Sequence, residues 1–465
     1  MSKLNLANKT TSIKESVSNI DYFENRSVRN TKSLRKNSVI TLIFRGLSMS
    51  CSYVMVPLVI DYVNTYQYGI WVSISTVIAW IIFFDIGLGN GLRNNYAKAI
   101  AHDDVILAKS YVSTAYFLLF AFSGLLMIIF LSSFAFVNWY EFFNVDISLS
   151  KELSITVLIA FGFQIIYFAS NMIISLLNGA QKAGIANSFS PVSNVISLVI
   201  IYFFLDKSGH NNLIKIAAIY TGVPIVVLVL ASIYYFSTEF KHIRPSLKFV
   251  NRRYIKDITG IGIKFFVLQI CALILVSSTP FIIAHALGQE EVTQYNIMFK
   301  LYNIPYLIFY LLLAPYWSAF TDAYARNDMV WIKNKMMQLY KMWGLVVVAL
   351  IFILVFNQYI FHLWIGNRVK TNNTTGIYMI IYLLLYSALL PLVNFINGVG
   401  KLNIQIYLCV ICAIINIPLS FILAKPLGIN GPVLANIICV IMLLTGLGIQ
   451  AKQILQGSGH RIWYK

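Results

Sequence analysis

The feature that most constrains this chain is a succession of apolar runs, each near the roughly 20 residues that carry a helix across a bilayer. Twelve candidate spans follow from that length: 38–62, 66–90, 110–137, 153–177, 188–206, 213–236, 260–287, 295–318, 341–364, 376–397, 405–424 and 430–449. Of the 465 residues, 58% are hydrophobic and 11% charged. Soluble domains run near half apolar and a quarter charged, so no water-soluble core could hide this surface. The expected class is an all-α integral membrane protein.

The five cysteines, Cys51, Cys271, Cys409, Cys412 and Cys439, all lie in apolar runs. Cys409 and Cys412 form a C-x-x-C, but without the polar flanks and further ligands that a redox or metal site needs. They read as small apolar residues. The histidines show no ligand spacing. No metal, no cofactor and no catalytic residue is expected. The first 38 residues are polar, with no cleavable signal pattern, and read as a tail before a permanent helix.

The net charge of +18 would suggest nucleic acid in a soluble protein. Here its placement has to be read against the membrane. About 26 basic residues fall in the tails and loops of one side, in dense groups such as Lys241, Arg244, Lys248, Arg252, Arg253 and Lys256. The opposite loops hold Lys151, Lys207, Arg368, Lys370 and Lys425. Both termini are therefore expected on the cytoplasmic side. The outer loops are short, the longest near 138–152, which leaves no room for a folded catalytic loop.

The two halves echo one another. NGAQKAGIA, with Asn178, Gly179 and Lys182, matches NGVGKLNIQ, with Asn397, Gly398 and Lys401, at a shift of 219. YQYGI at Tyr66–Ile70 resembles TQYNI at Thr293–Ile297. AKAIAHDDVILAK at Ala97–Lys109 resembles TDAYARNDMVWIK at Thr321–Lys333. The plan is then a cytoplasmic tail (1–37), a six-helix bundle (38–236), a basic linker (237–259), a second six-helix bundle (260–449) and a tail (450–465). Two like-oriented bundles imply a pseudo-two-fold axis along the membrane normal, with a cavity between them.

Charges within spans are costly and so informative. Arg45 lies in span one, and the shift of 219 sets Lys264 of span seven opposite it. Lys300 lies one to two turns into span eight from the outer side. Asp85 and Arg93 lie at the inner end of span two. Each base can snorkel to headgroups, or can face the cavity and neutralise an acidic headgroup, with phosphate the natural choice. Asp85 reads as a fixed partner of Arg45 or Arg93, or as a carboxylate coupling transport to an ion.

In FFDIGLGNGLRN, the glycines Gly87, Gly89 and Gly91 resemble a dinucleotide loop only if a strand precedes them. A membrane helix precedes them, so they read as a helix end where backbones bend or approach closely. Pro57 and Pro280, late in the first span of each half, mark a static kink or a gating bend.

The segment FDIGLGNGLRN (Phe84–Asn94), the loop at Asn178, Gly179 and Lys182, and twelve spans with a basic tail resemble Wzx-type polysaccharide flippases of the multidrug/oligosaccharidyl-lipid/polysaccharide exporter (MOP) superfamily. The resemblance covers about residues 35–450. It implies a substrate, an oligosaccharide repeat unit on undecaprenyl pyrophosphate, moved from the cytoplasmic to the periplasmic leaflet of the bacterial inner membrane by alternating access. A polymerase and chain-length proteins of the same pathway are the implied partners. The rivals are a multidrug exporter of the same superfamily, a polymerase or ligase, and a peptidoglycan-lipid flippase. A cation exporter should carry paired carboxylates, whereas one clear acid against three bases within the spans favours an anionic substrate.

Overall fold

In lipid every backbone N–H and C=O must be satisfied within its own segment. The computed structural model meets this with helices throughout the residues it describes: 43–81, 87–204, 206, 211–259, 263–313 and 316–456. Among them, nine helices are long and apolar enough to cross a membrane, and two further pairs are bent, Val267–Leu275 with Thr279–Ala286 and Gln289–Tyr302 with Ile304–Leu313. The first helix, Ile43–Ala79, has 37 residues. At 1.5 Å per residue it would run about 55 Å, nearly twice a hydrocarbon core. Asn64 divides it: its φ is 73°, which no right-handed helix continues through. Its Oδ1 accepts from the Gln67 N–H at 2.9 Å, capping the next helix. Divided there, the described residues hold twelve spans. The outward apolar residues of Val105–Phe134, among them Phe120, Leu125 and Ile128, are exposed. A helix with its apolar side uncovered belongs in lipid.

Several span limits differ from those expected. Span eight begins at Gln289 instead of 295, because Gln289, Glu290 and Glu291 form its polar first turn. The predicted loop after span two is instead a helix, Leu88–Ala101. Its N-cap is Gly87, at φ 81°, so Gly87 is a bend as expected, while Gly89 and Gly91 lie inside the helix and do not end it. Pro280 is not interior to a helix. It sits in the first turn of Thr279–Ala286, after a 41° bend. Pro57 falls within the first helical run.

The internal repeat extends to single hydrogen bonds. A positive φ closes the first four connections at Asn64, Asp103, Asn144 and Gln181, and at Gly288, Asn327, Gly366 and Gly400 in the second half. Asp104 caps Leu107 at 2.8 Å, and Asp328 caps Trp331 at 2.9 Å, both 224 residues on. A Cβ on Gly179 would lie 2.9 Å from the Arg93 carbonyl oxygen, and one on Gly398 would lie 3.0 Å from that of Trp317, again 224 beyond Arg93. The Asn-Gly motifs are therefore close-packing points between the fourth span and the second of each half. Lys182 pairs with Glu239, while Lys401 lies over the Tyr324 ring at 5.7 Å.

Two contacts between the halves exchange under the repeat. Thr293 Oγ1 donates to the Thr65 carbonyl at 2.6 Å, and a Cβ on Gly69 would lie 1.8 Å from the Gln289 carbonyl oxygen. Residues 65 and 69 correspond to 289 and 293 at the same shift of 224. Reciprocal contacts of this kind mark a two-fold relation.

The linker is docked on the first half. The Ser246 N–H donates to Ser113 Oγ and the Asn251 N–H to Thr114 Oγ1, each at 3.1 Å. Asn95 Nδ2 donates to the Asp257 carbonyl at 3.0 Å. Lys241, Arg244, Lys248, Arg252, Arg253 and Lys256 remain exposed, and they make this the basic end of the molecule.

Candidate functional site

The hydrogen bonds joining the two halves gather at the end opposite the linker. Ser73 Oγ donates to Gln289 Oε1 at 3.0 Å, and Tyr68 OH to Asn296 Oδ1 at 3.1 Å. Asn144 Nδ2 donates to the Ala284 carbonyl at 2.8 Å. Trp364 Nε1 donates to the Tyr53 carbonyl at 2.9 Å, and Tyr53 OH to that of Lys300 at 2.6 Å. Arg368 grips Asp61 with two nitrogens, Nη2 to Oδ2 at 2.8 Å. The bond to Asp61 raises the Arg368 pKa above its ordinary value. This far end is zipped shut.

Toward the basic end lies a cavity of about 510 Å³. Its walls come from spans one, four, five and six of the first half, and from Leu307, Tyr310 and Leu311 of span eight. Arg45 lines it, near the start of the first helix, and is exposed. Among the described lining residues Arg45 alone is charged, and none is acidic. The other polar groups are hydroxyls and amides. Asn194 Nδ2 donates to Ser48 Oγ at 2.7 Å, which fixes one amide on the wall.

The remaining expected residues divide. Lys300 is eleven residues beyond Gln289, about three turns in, and so deeper than one to two turns. It is half-buried and is not among the residues lining the cavity. Arg93 is exposed on Leu88–Ala101 and also outside that lining. Asp85 lies outside the described residues, as does the side chain of Lys264, whose backbone is in the first turn of Ile263–Ser277. Arg45 and Lys264 are not equivalent under the repeat. Arg45 precedes the Asn64 turn by 64 − 45 = 19 residues, while Lys264 precedes the Gly288 turn by 288 − 264 = 24. The shift of 224 sets Gln269 opposite Arg45. The shift of 219 holds only in the later spans, as at Gln181 and Gly400.

Sequence reasoning missed Asp61, Gln164 and Tyr310, and took Arg368 only as a base of the outer loops. Asp61 could have been found, being a second acid within the span boundaries drawn above. The C-x-x-C packs between spans eleven and twelve, where Cys412 Sγ lies 3.5 Å from the Cys439 carbonyl oxygen.

The cavity and the zipped end belong to a recognisable frame. Residues 34–321 match the family model described as polysaccharide biosynthesis protein. That is more than half of the chain. The chain belongs to the polysaccharide biosynthesis protein family. Within the family, it is 21% identical over 290 residues to a putative O-antigen export protein of Yersinia pseudotuberculosis, covering 60% of this chain and 63% of that one. The chain thus spans less than two thirds of that relative. It is 22% identical over 350 residues to a putative O-antigen transporter of Salmonella typhi, covering 70% of this chain and 74% of that one. An inward-facing multidrug resistance MATE family transporter of the MOP superfamily shares the fold, with TM-score 0.76 at 14% identity over 91% of this chain and all of that one. An outward-facing MATE transporter of that superfamily gives 0.61 at 16% identity, over 92% and 97%. This family member therefore has the two-lobed, multi-pass fold of those two transporters, in keeping with the resemblance to Wzx-type flippases.

Proposed function

We propose that this protein is a flippase that moves an undecaprenyl-pyrophosphate-linked oligosaccharide from the cytoplasmic to the periplasmic leaflet of the bacterial inner membrane. The observation that carries the reading is the cavity between the halves, where Arg45 is the one charge among the described lining residues. A guanidinium with no acid among the described lining residues attracts a diphosphate through charge-assisted, forked hydrogen bonds. A cationic drug would find no carboxylate among the described lining residues, which disfavours the multidrug reading. Asp85 keeps its two roles, ion partner or coupling carboxylate, and Lys264 remains a secondary cation for the headgroup, whereas Lys300 and Arg93, outside the lining, do not reach it in this conformation.

The basic end faces the cytoplasm, where anionic lipid attracts its exposed lysines and arginines. With the far end zipped and the cavity toward the basic end, the conformation receives substrate from the cytoplasmic side. Transport then requires the Asp61–Arg368 end to part while the basic end closes around the emptied site. The relatives' names, an O-antigen export protein and an O-antigen transporter, support this reading.

The test is the surface polysaccharide ladder of a strain lacking this gene, beside the same strain carrying Arg45→Ala. The ladder is expected to be lost in the first and strongly reduced in the second, with lipid-linked repeat units accumulating in both. An intact ladder without the gene rejects the polysaccharide role and brings the multidrug exporter forward.

A further inference from the structure

Resting on the flippase reading, we propose that the first-half wall of the cavity is a saccharide subsite. It binds an uncharged sugar residue of the lipid-linked substrate, next to the diphosphate held by Arg45. The residue that carries this is Gln164. It lies in Ser150–Ser170, surrounded in sequence by phenylalanine and isoleucine, and is 9% exposed. It lines the cavity, and its amide, which has no hydrogen-bond partner among the described residues, is not one of their sealed orphan groups and so opens to the cavity. An acyl chain in the cavity offers that amide no partner, whereas a sugar hydroxyl both donates and accepts, as the amide does.

The opposite wall supplies the second element. Tyr310 of span eight lines the cavity and is 50% exposed. Its ring is held by a column of near-parallel rings: Tyr310 to Tyr306 at 6.3 Å and 17°, Tyr306 to Tyr386 at 5.0 Å and 17°, and Tyr386 to Tyr382 at 5.5 Å and 10°. A fixed ring face is electron-rich and attracts the polarised C–H face of a pyranose. The cavity thus offers a sugar an amide on one wall and an aromatic face on the other. Its volume is within the ~300–1,000 Å³ of small-ligand pockets, enough for part of a repeat unit and not for a long glycan. With Arg45 engaged by phosphate, the remaining described lining is neutral, which suits an uncharged sugar.

The test measures binding to the purified full chain in detergent with two probes. One is undecaprenyl diphosphate. The other is the lipid-linked oligosaccharide extracted from cells lacking the gene. The oligosaccharide-bearing probe is expected to bind at least tenfold tighter. Gln164→Leu removes that preference and leaves the affinity for the bare diphosphate, while Arg45→Ala weakens both probes alike. Tyr310→Ala, an exposed position where folding is not at stake, reduces the preference as well. Equal binding of the two probes to the unaltered protein overturns the saccharide subsite, as does a preference that survives both Gln164→Leu and Tyr310→Ala. If Arg45→Ala weakens neither probe, the headgroup assignment fails instead.

Discussion

Arg45 and Lys264 look alike in sequence, each a lone base in the first span of its half, but the Asn64 and Gly288 turns set them five residues apart in register. Arg45 lines the cavity, and Lys264 starts its helix more than a turn nearer the basic end. Charge-assisted hydrogen bonds are worth about 1.5–3 kcal/mol, so losing one slows transport roughly tenfold or more. Arg45→Ala is expected to slow translocation at least that much, and Lys264→Ala much less. The check is the rate at which lipid-linked repeat units reach the outer leaflet. Arg45 was legible because a charge in an apolar run stands out. Gln164 was not, since an uncharged amide in such a run has no periodic signature. The Asp61–Arg368 pair joins residues far apart in sequence, which no local pattern can reveal.

At the scale of elements, the caps and close approaches make predictions of their own. Asp104 and Asp328 cap equivalent helices with near-equal bonds. Replacing either by alanine costs about 1 kcal/mol, as for other N-caps. The two losses are expected to match in thermal unfolding of the purified protein. Gly69 is different, because a Cβ there would strike the Gln289 backbone. Gly69→Ala is expected to force the halves apart at the far end while each bundle keeps its fold. Faster reaction of a cysteine placed at Asn296 with an impermeant thiol reagent, in a background free of the native cysteines, would register the parting. Unchanged reactivity would show that the close approach is not maintained in the membrane. The spans themselves were legible because bilayer thickness fixes their length. The bend at Ser278 was marked by Pro280 two residues on, whereas the bend at Asn303 was missed although Pro305 follows it in the same way. Nor was Leu88–Ala101 legible as a helix, because its polar residues read as a loop.

For the whole molecule, alternating access depends on contacts that differ between its two states. Asp61 and Arg368 are 28% and 37% exposed, so their pairing is worth about 1 kcal/mol, roughly a fivefold population shift. Asp61→Arg or Arg368→Asp alone is expected to favour the state with the far end open, and the double exchange to restore the balance. Labelling of the same Asn296 cysteine reports it. If the exchange labels as fast as either single variant, the pair is not a closing contact. The repeat was visible in sequence as isolated matches, but its change of register, from 224 in the early spans to 219 in the later ones, needed the turns to be placed in space.

The most direct test of the account is translocation in vesicles containing only the purified protein and lipid-linked oligosaccharide extracted from cells lacking it. Oligosaccharide on the outer leaflet is labelled over time with an impermeant carbonyl-directed reagent after mild oxidation. The account predicts that the protein carries labelling beyond the outer-leaflet fraction toward completion, and that Arg45→Ala slows this at least tenfold. Labelling that stops where it does in protein-free vesicles, while the same vesicles move a cationic dye, would contradict it.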